Sequence, residues 1–123
     1  MPKSTELKFG VTVLFVKRFN KCFEFYKEVL GLKVSFVNLE GEVAMFKLGK
    51  SEFLLHGGHR GKPATGPLHV HFEVGDIRAT VRNLKKKGLK FHEPVAKRPY
   101  GVYETRFSDP DGNRFDLIQP IEN

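Results

Sequence analysis

The sequence predicts an α+β protein built of two βαβββ repeats. Three observations lead there. Short apolar runs rich in Val, Phe and Ile recur between turn signals of Gly, Pro and Asp. Two other segments carry their apolar residues at helical spacing. The order strand, helix, three strands then occurs twice, so the chain contains an internal repeat.

Each element has its own signal. Lys8 to Val16 reads as a strand. Arg18 to Leu30 reads as a helix, with Phe19, Cys22, Phe23, Tyr26, Val29 and Leu30 on one stripe and Gly31 as its stop. Cys22 on that stripe is better read as a buried small hydrophobe than as a reactive thiol. Leu32–Leu39 and Glu42–Leu48 are strands around a turn at Glu40-Gly41, and Glu52–His56 is a third. Residues 57–67 form a loop rich in Gly and Pro.

The second half opens with Leu68-His69-Val70-His71-Phe72-Glu73-Val74, which alternates with period two. Asp76 is a candidate N-cap for a helix striped by Ile77, Val81 and Leu84, and Gly88 ends it. Leu89–Ala96, Val102–Phe107 and Arg114–Gln119 are the remaining strands. Asp109-Pro110-Asp111-Gly112 reads as a turn; a calcium loop needs a downstream Glu that is missing here. The chain is thus expected to be a single domain, 1–123, of two halves (about 8–56 and 68–119), since neither half is long enough to bury a sheet face alone.

The 123 residues carry 21 cations and 14 acids, a formal charge of +7, which admits nucleic acid or an anionic small molecule as partner. The cations are scattered apart from Lys85-Lys86-Lys87 and Lys97-Arg98, and the lysine triplet ends a helix, where the dipole favours it. No aromatics are interleaved with them, so nucleic acid is not expected. A small-molecule ligand, neutral or anionic, fits the charge better. One cysteine excludes an internal disulfide, and no apolar run approaches a membrane span. Both fit a cytoplasmic protein.

The period-two stretch places His69, His71 and Glu73 on one strand face, side chains able to bind metal or move protons. Superposing the repeats aligns His69 with Val11 and Asp116 with Leu54. The second half therefore puts an imidazole and a carboxylate where the first half has aliphatic groups. His56 and His71 share faces with these positions and are candidate third metal ligands. His56, His59, His69 and His71 together do not follow a standard zinc spacing.

The element order, Phe25-Tyr26-Lys27-Glu28-Val29-Leu30-Gly31-Leu32, the segment from His69 to Asp76, and Asp109-Pro110-Asp111-Gly112-Asn113 resemble the vicinal oxygen chelate superfamily. That superfamily includes glyoxalase I, extradiol dioxygenases, fosfomycin-resistance enzymes and bleomycin-resistance proteins. The resemblance implies that the two repeats form a cupped mixed sheet with the helices on its outer face, and that in the metal-dependent members the cup holds a divalent metal (Zn, Ni, Mn or Fe). It places the glyoxalase ligand positions at Val11, Leu54, His69 and Asp116, of which only His69 and Asp116 can ligate. Asp116 stands where the family usually has Glu. The resemblance also implies a homodimer whose clefts are each built from halves of two subunits.

Two readings follow. In the first, the chain is a small-molecule enzyme of the glyoxalase or dioxygenase type, a lyase, isomerase or oxygenase with an incomplete metal site. His69 and Asp116 are then partial ligands or an acid–base pair. In the second, it is a metal-free binding protein of the bleomycin-resistance type, with Val11 and Leu54 in an apolar wall. Tyr100 and Tyr103 are expected at the ligand in either case, with His56 and His71 beside them.

Overall fold

A computed structural model describes residues 3–122; residues 1, 2 and 123, the ends of the expected domain, lie outside the described residues. The first repeat comprises β1 (Thr12–Phe15), α1 (Phe19–Glu24), a π-helical segment (Phe25–Val29), β2 (Lys33–Asn38), β3 (Val43–Leu48) and β4 (Ser51–His56). The second comprises β5 (Val70–Glu73), α2 (Ile77–Lys86), β6 (Ala96–Arg98), β7 (Val102–Ser108) and β8 (Arg114–Pro120).

Each repeat forms its own four-stranded mixed sheet, in the orders β1-β4-β3-β2 and β5-β8-β7-β6. In both, the first strand runs parallel to the last and the others are antiparallel. The ladders confirm the repeat register residue by residue. Val13 pairs with Leu54 in the first half as His71 pairs with Asp116 in the second.

Several elements differ from expectation, each for a local reason. The strand expected over Lys8–Val16 is β1, only Thr12–Phe15. Its partner β4 begins at Ser51 beside the Gly49 turn, so residues before Val11 have no ladder to join. The helix expected over Arg18–Leu30 changes at Phe25 to π-type bonding, with Leu30 N–H donating to the Phe25 carbonyl at 3.0 Å. The wider turn turns the adjacent Phe25 and Tyr26 both into the core. The strand expected over Leu89–Ala96 is reduced to a single bridge, Phe91 to Phe107, and the short β6 beyond it. Pro94 interrupts the ladder there because it has no N–H to give.

The helices close as their end residues dictate. Asp76 accepts from Ala79 N–H at 3.0 Å, and Gly31 (φ 70°) and Gly88 (φ 95°) take the left-handed turns after the helical segments. Aromatic rings join the halves. Phe53 meets Phe115 at 6.2 Å and Phe72 at 6.4 Å between centroids, and Tyr26 meets Phe115 at 5.9 Å.

The turn at Asp109 is a bolt between the halves. Buried Asp109 accepts from the Tyr26 hydroxyl at 2.6 Å and from the backbone N–H groups of Asp111 and Asn113, each at 2.9 Å. Asp111 accepts from Arg18 Nε at 3.0 Å and from the Lys17 and Arg18 backbones. Burial raises the Asp111 pKa, yet the hydrogen bonds from Arg18 and Lys17 outweigh it and hold the carboxyl below its ordinary value. Among the described residues no helix is long and apolar enough to cross a membrane.

Candidate functional site

The open face of the second sheet follows from strand parity. On β5 and β8, Val70, Phe72, Phe115 and Leu117 turn toward the core. His69, His71 and Asp116 therefore turn the other way. Antiparallel β7 sets Arg106 directly opposite Asp116.

Three of these side chains converge on the carboxylate of the fourth, Asp116. Asp116 Oδ2 accepts a hydrogen bond from His69 Nδ1 at 2.9 Å, and His71 Nε2 lies 3.1 Å from the same oxygen. Asp116 Oδ1 accepts from Arg106 Nε at 2.9 Å. With Nδ1 as the donor to this oxygen, Nε2 is the His69 ring nitrogen that Asp116 does not engage. Asp116 is 2% exposed, whereas the His69 and His71 side chains are 35% and 43% exposed. The carboxylate is thus sealed beneath two accessible imidazoles.

A second buried acid extends the network. Glu104 accepts from Arg98 Nε at 3.1 Å and from the Tyr100 hydroxyl at 3.0 Å, and Arg106 reaches it at 3.8 Å. Arg98 also holds Glu93 at 3.1 Å. Loss of hydration and the bond to Glu104 both push the Tyr100 phenol above its ordinary pKa. Glu93, Arg98, Glu104, Arg106 and Asp116 form a line of alternating charge that ends at the imidazoles. Sequence reasoning missed Glu104 and Arg106. The signal was present: the alternation in Val102–Ser108 puts both on the face that β8 gives to Asp116.

The other expected site residues fall elsewhere. Val11 precedes β1 and is exposed. Leu54 occupies, on the first sheet, the place Asp116 holds on the second. His56 stays in that first sheet, with Nδ1 2.7 Å from the Gly57 carbonyl and its ring against Phe15. His59 lies in the loop, bonded to the Lys62 carbonyl. Tyr100 rests on Glu104, but Tyr103 turns to the helix side, under the Arg78 guanidinium. A cleft of about 730 Å³ runs along β5, with His71 and Glu73 on one side and Lys47, Ser51 and Glu52 on the other.

The donors of His69, His71 and Asp116 lie within 4.8 Å of one another. Two imidazoles and one carboxylate on a partly open face are a donor set that suits zinc, nickel, manganese or iron. The set fits a divalent ion with three protein ligands and room for a further one. Arg106 holds Asp116 Oδ1, and a metal at Oδ2 would replace the contacts that His69 and His71 make with that oxygen.

The fold pairs two like sheets, and among the described residues a His–His–Asp cluster occurs in the second repeat. The chain belongs to the Glyoxalase/Bleomycin resistance protein/Dioxygenase superfamily, whose sequence pattern matches residues 8–117. It is 30% identical over 121 residues to the uncharacterized protein YraH of Bacillus subtilis strain 168, covering 88% of this chain and 94% of that one. Its fold is similar to that of a lactoylglutathione lyase from Agrobacterium tumefaciens (21% identity, 94% and 96% of the two chains, TM-score 0.74). A superfamily member from Sphaerobacter thermophilus is similar too (24% identity, 91% and 98%, TM-score 0.73).

Proposed function

We propose that the protein is a small-molecule enzyme of the glyoxalase or dioxygenase type, acting on an oxygen-bearing substrate bound beside β5. The observation that carries this is the convergence of His69, His71 and Asp116 within 4.8 Å. These three residues would hold a divalent metal. The ion would supply Lewis-acid stabilisation to negative charge on a substrate oxygen. The site is incomplete against a four-ligand glyoxalase pattern, since Val11 and Leu54 add nothing. Without a metal, the same pair would act as acid and base instead: His69, oriented by Asp116 through Nδ1, would offer Nε2 as a general base.

The second reading is a metal-free binding protein of the bleomycin-resistance type. The Arg106–Asp116 contact supports it, because it already neutralises the buried carboxylate without a metal. Thermal shift separates the two. The enzyme reading expects zinc, nickel, manganese or iron to raise Tm, and His69→Ala to abolish the rise. No shift with any of the four, together with a shift from a small organic ligand, would favour the binding reading.

We also propose a homodimer. The open face of the first sheet is apolar, and Val13, Phe15, Phe36 and Leu39 are exposed on it or at its edge. A face of this kind is a site of association in soluble proteins. Light scattering is expected to give twice the chain mass; a monomer would contradict it.

A further inference from the structure

Charge is distributed very unevenly along this chain. Residues 76–98 hold eight cations and two carboxylates, a net +6 in a chain of net +7. On α2, Arg78, Arg82, Lys85 and Lys86 have no acid beside them, and among the described residues none of the four makes an ion pair. Both acids of the segment are occupied. Asp76 caps the helix, and Glu93 faces Arg98 and Arg106.

The helix dipole explains only part of this. It favours Lys85 and Lys86 in the last turn, but it disfavours Arg78 in the first. Arg78 and Arg82 also stand four residues apart, where like charges repel. Something other than helix stability accounts for them.

The same residues rim a cleft of about 330 Å³ between α2 and residues 91–95. Arg78, Arg82 and Lys85 form its basic side, Val81, Phe91 and Val95 line its apolar part, and the one carboxylate on it, Glu93, is paired with Arg98 and Arg106. Arg78 is held in place over the Tyr103 ring, 5.9 Å from its centroid. His69, His71 and Asp116 are not among its lining residues. Two guanidinium forks and an ammonium suit a dianion such as phosphate, and the apolar lining suits a ring or short chain attached to it.

We propose that this cleft binds a small organic phosphate, a phosphomonoester on an apolar group, at a site separate from the His–Asp cluster. The size of the cleft favours a small molecule over a polymer, and exposed aromatics for stacking bases are lacking along the helix.

Phenyl phosphate is the test probe, with binding followed by titration calorimetry and by amide shifts in the full chain. Saturable binding is expected, with shifts at residues 78–95. The double variant Arg78→Gln/Arg82→Gln should weaken it about tenfold or more. Lys8→Gln/Lys50→Gln, which removes the same charge elsewhere, should leave it within about twofold. Inorganic phosphate should bind more weakly than phenyl phosphate, and phenol not at all. Three results would overturn the proposal: no saturable binding up to about 10 mM, equal loss in both double variants, or preference for a duplex DNA oligomer over phenyl phosphate.

Discussion

His71 and Asp116 are direct ladder partners in the parallel pair of β5 and β8, and their side chains meet at 3.1 Å. The equivalent partners in the first repeat are Val13 and Leu54, which are aliphatic. One backbone arrangement thus carries chemistry in one half and none in the other. Four of the five consequences below concern that asymmetry or the bolt that holds the halves together.

Asp116 anchors His69, His71 and Arg106 from beneath. Asp116→Asn removes the charge facing Arg106 and the acceptor facing His69. Stability should fall by about 2–4 kcal/mol, somewhat less than for a fully buried pair because Arg106 is partly exposed. Urea denaturation measures it.

Arg106 competes with a metal for the same carboxylate. Arg106→Met frees Asp116 Oδ1 and removes a cation from the site. With that like charge gone, affinity for zinc, followed by calorimetry, should rise about tenfold. A fall would show that Arg106 supports the ligand geometry instead.

The Tyr26 hydroxyl is buried on Asp109. Tyr26→Phe leaves a buried carboxylate short of one donor, so stability should drop by about 1–3 kcal/mol with the fold retained. Near-ultraviolet circular dichroism checks that the fold is retained.

Burial, reinforced by Asp109 and Asp111, pushes the Cys22 thiol up to about 12. Native protein at about pH 8 should resist a disulfide thiol reagent, whereas urea should release one reactive thiol per chain. Rapid labelling of the native state would contradict the burial.

Asp111 has a lowered pKa in the folded protein. It therefore contributes stability above the unfolded carboxyl value, and that stability is lost as the pH falls through the folded value. Asp111→Asn should show a smaller loss of stability between about pH 5 and pH 2 than the parent chain. Identical acid profiles would contradict the assignment.

Much of this architecture was legible in the sequence because it is periodic. The alternation around His69 set the polar face, and the repeat register that equates Asp116 with Leu54 is the register of the ladders. What the sequence did not yield depends on partners distant in the chain. β1 is short because its parallel partner β4 begins only at Ser51, and the π-type segment reflects the need to bury Phe25 and Tyr26 side by side. Tyr103 was expected at the ligand, but one residue of parity sends it to the helix side, while Glu104 and Arg106 reach the open face. His56 shares a face with an expected ligand position, but that face belongs to the other sheet.

The central claim is that His69, His71 and Asp116 form one working centre. Its most direct test is metal content by elemental analysis, on protein purified without chelator. The account predicts about one divalent ion per chain, lost in His69→Ala, His71→Ala and Asp116→Ala alike. Metal-free parent protein that takes up none of zinc, nickel, manganese or iron on dialysis, or equal metal in parent and variants, would contradict it.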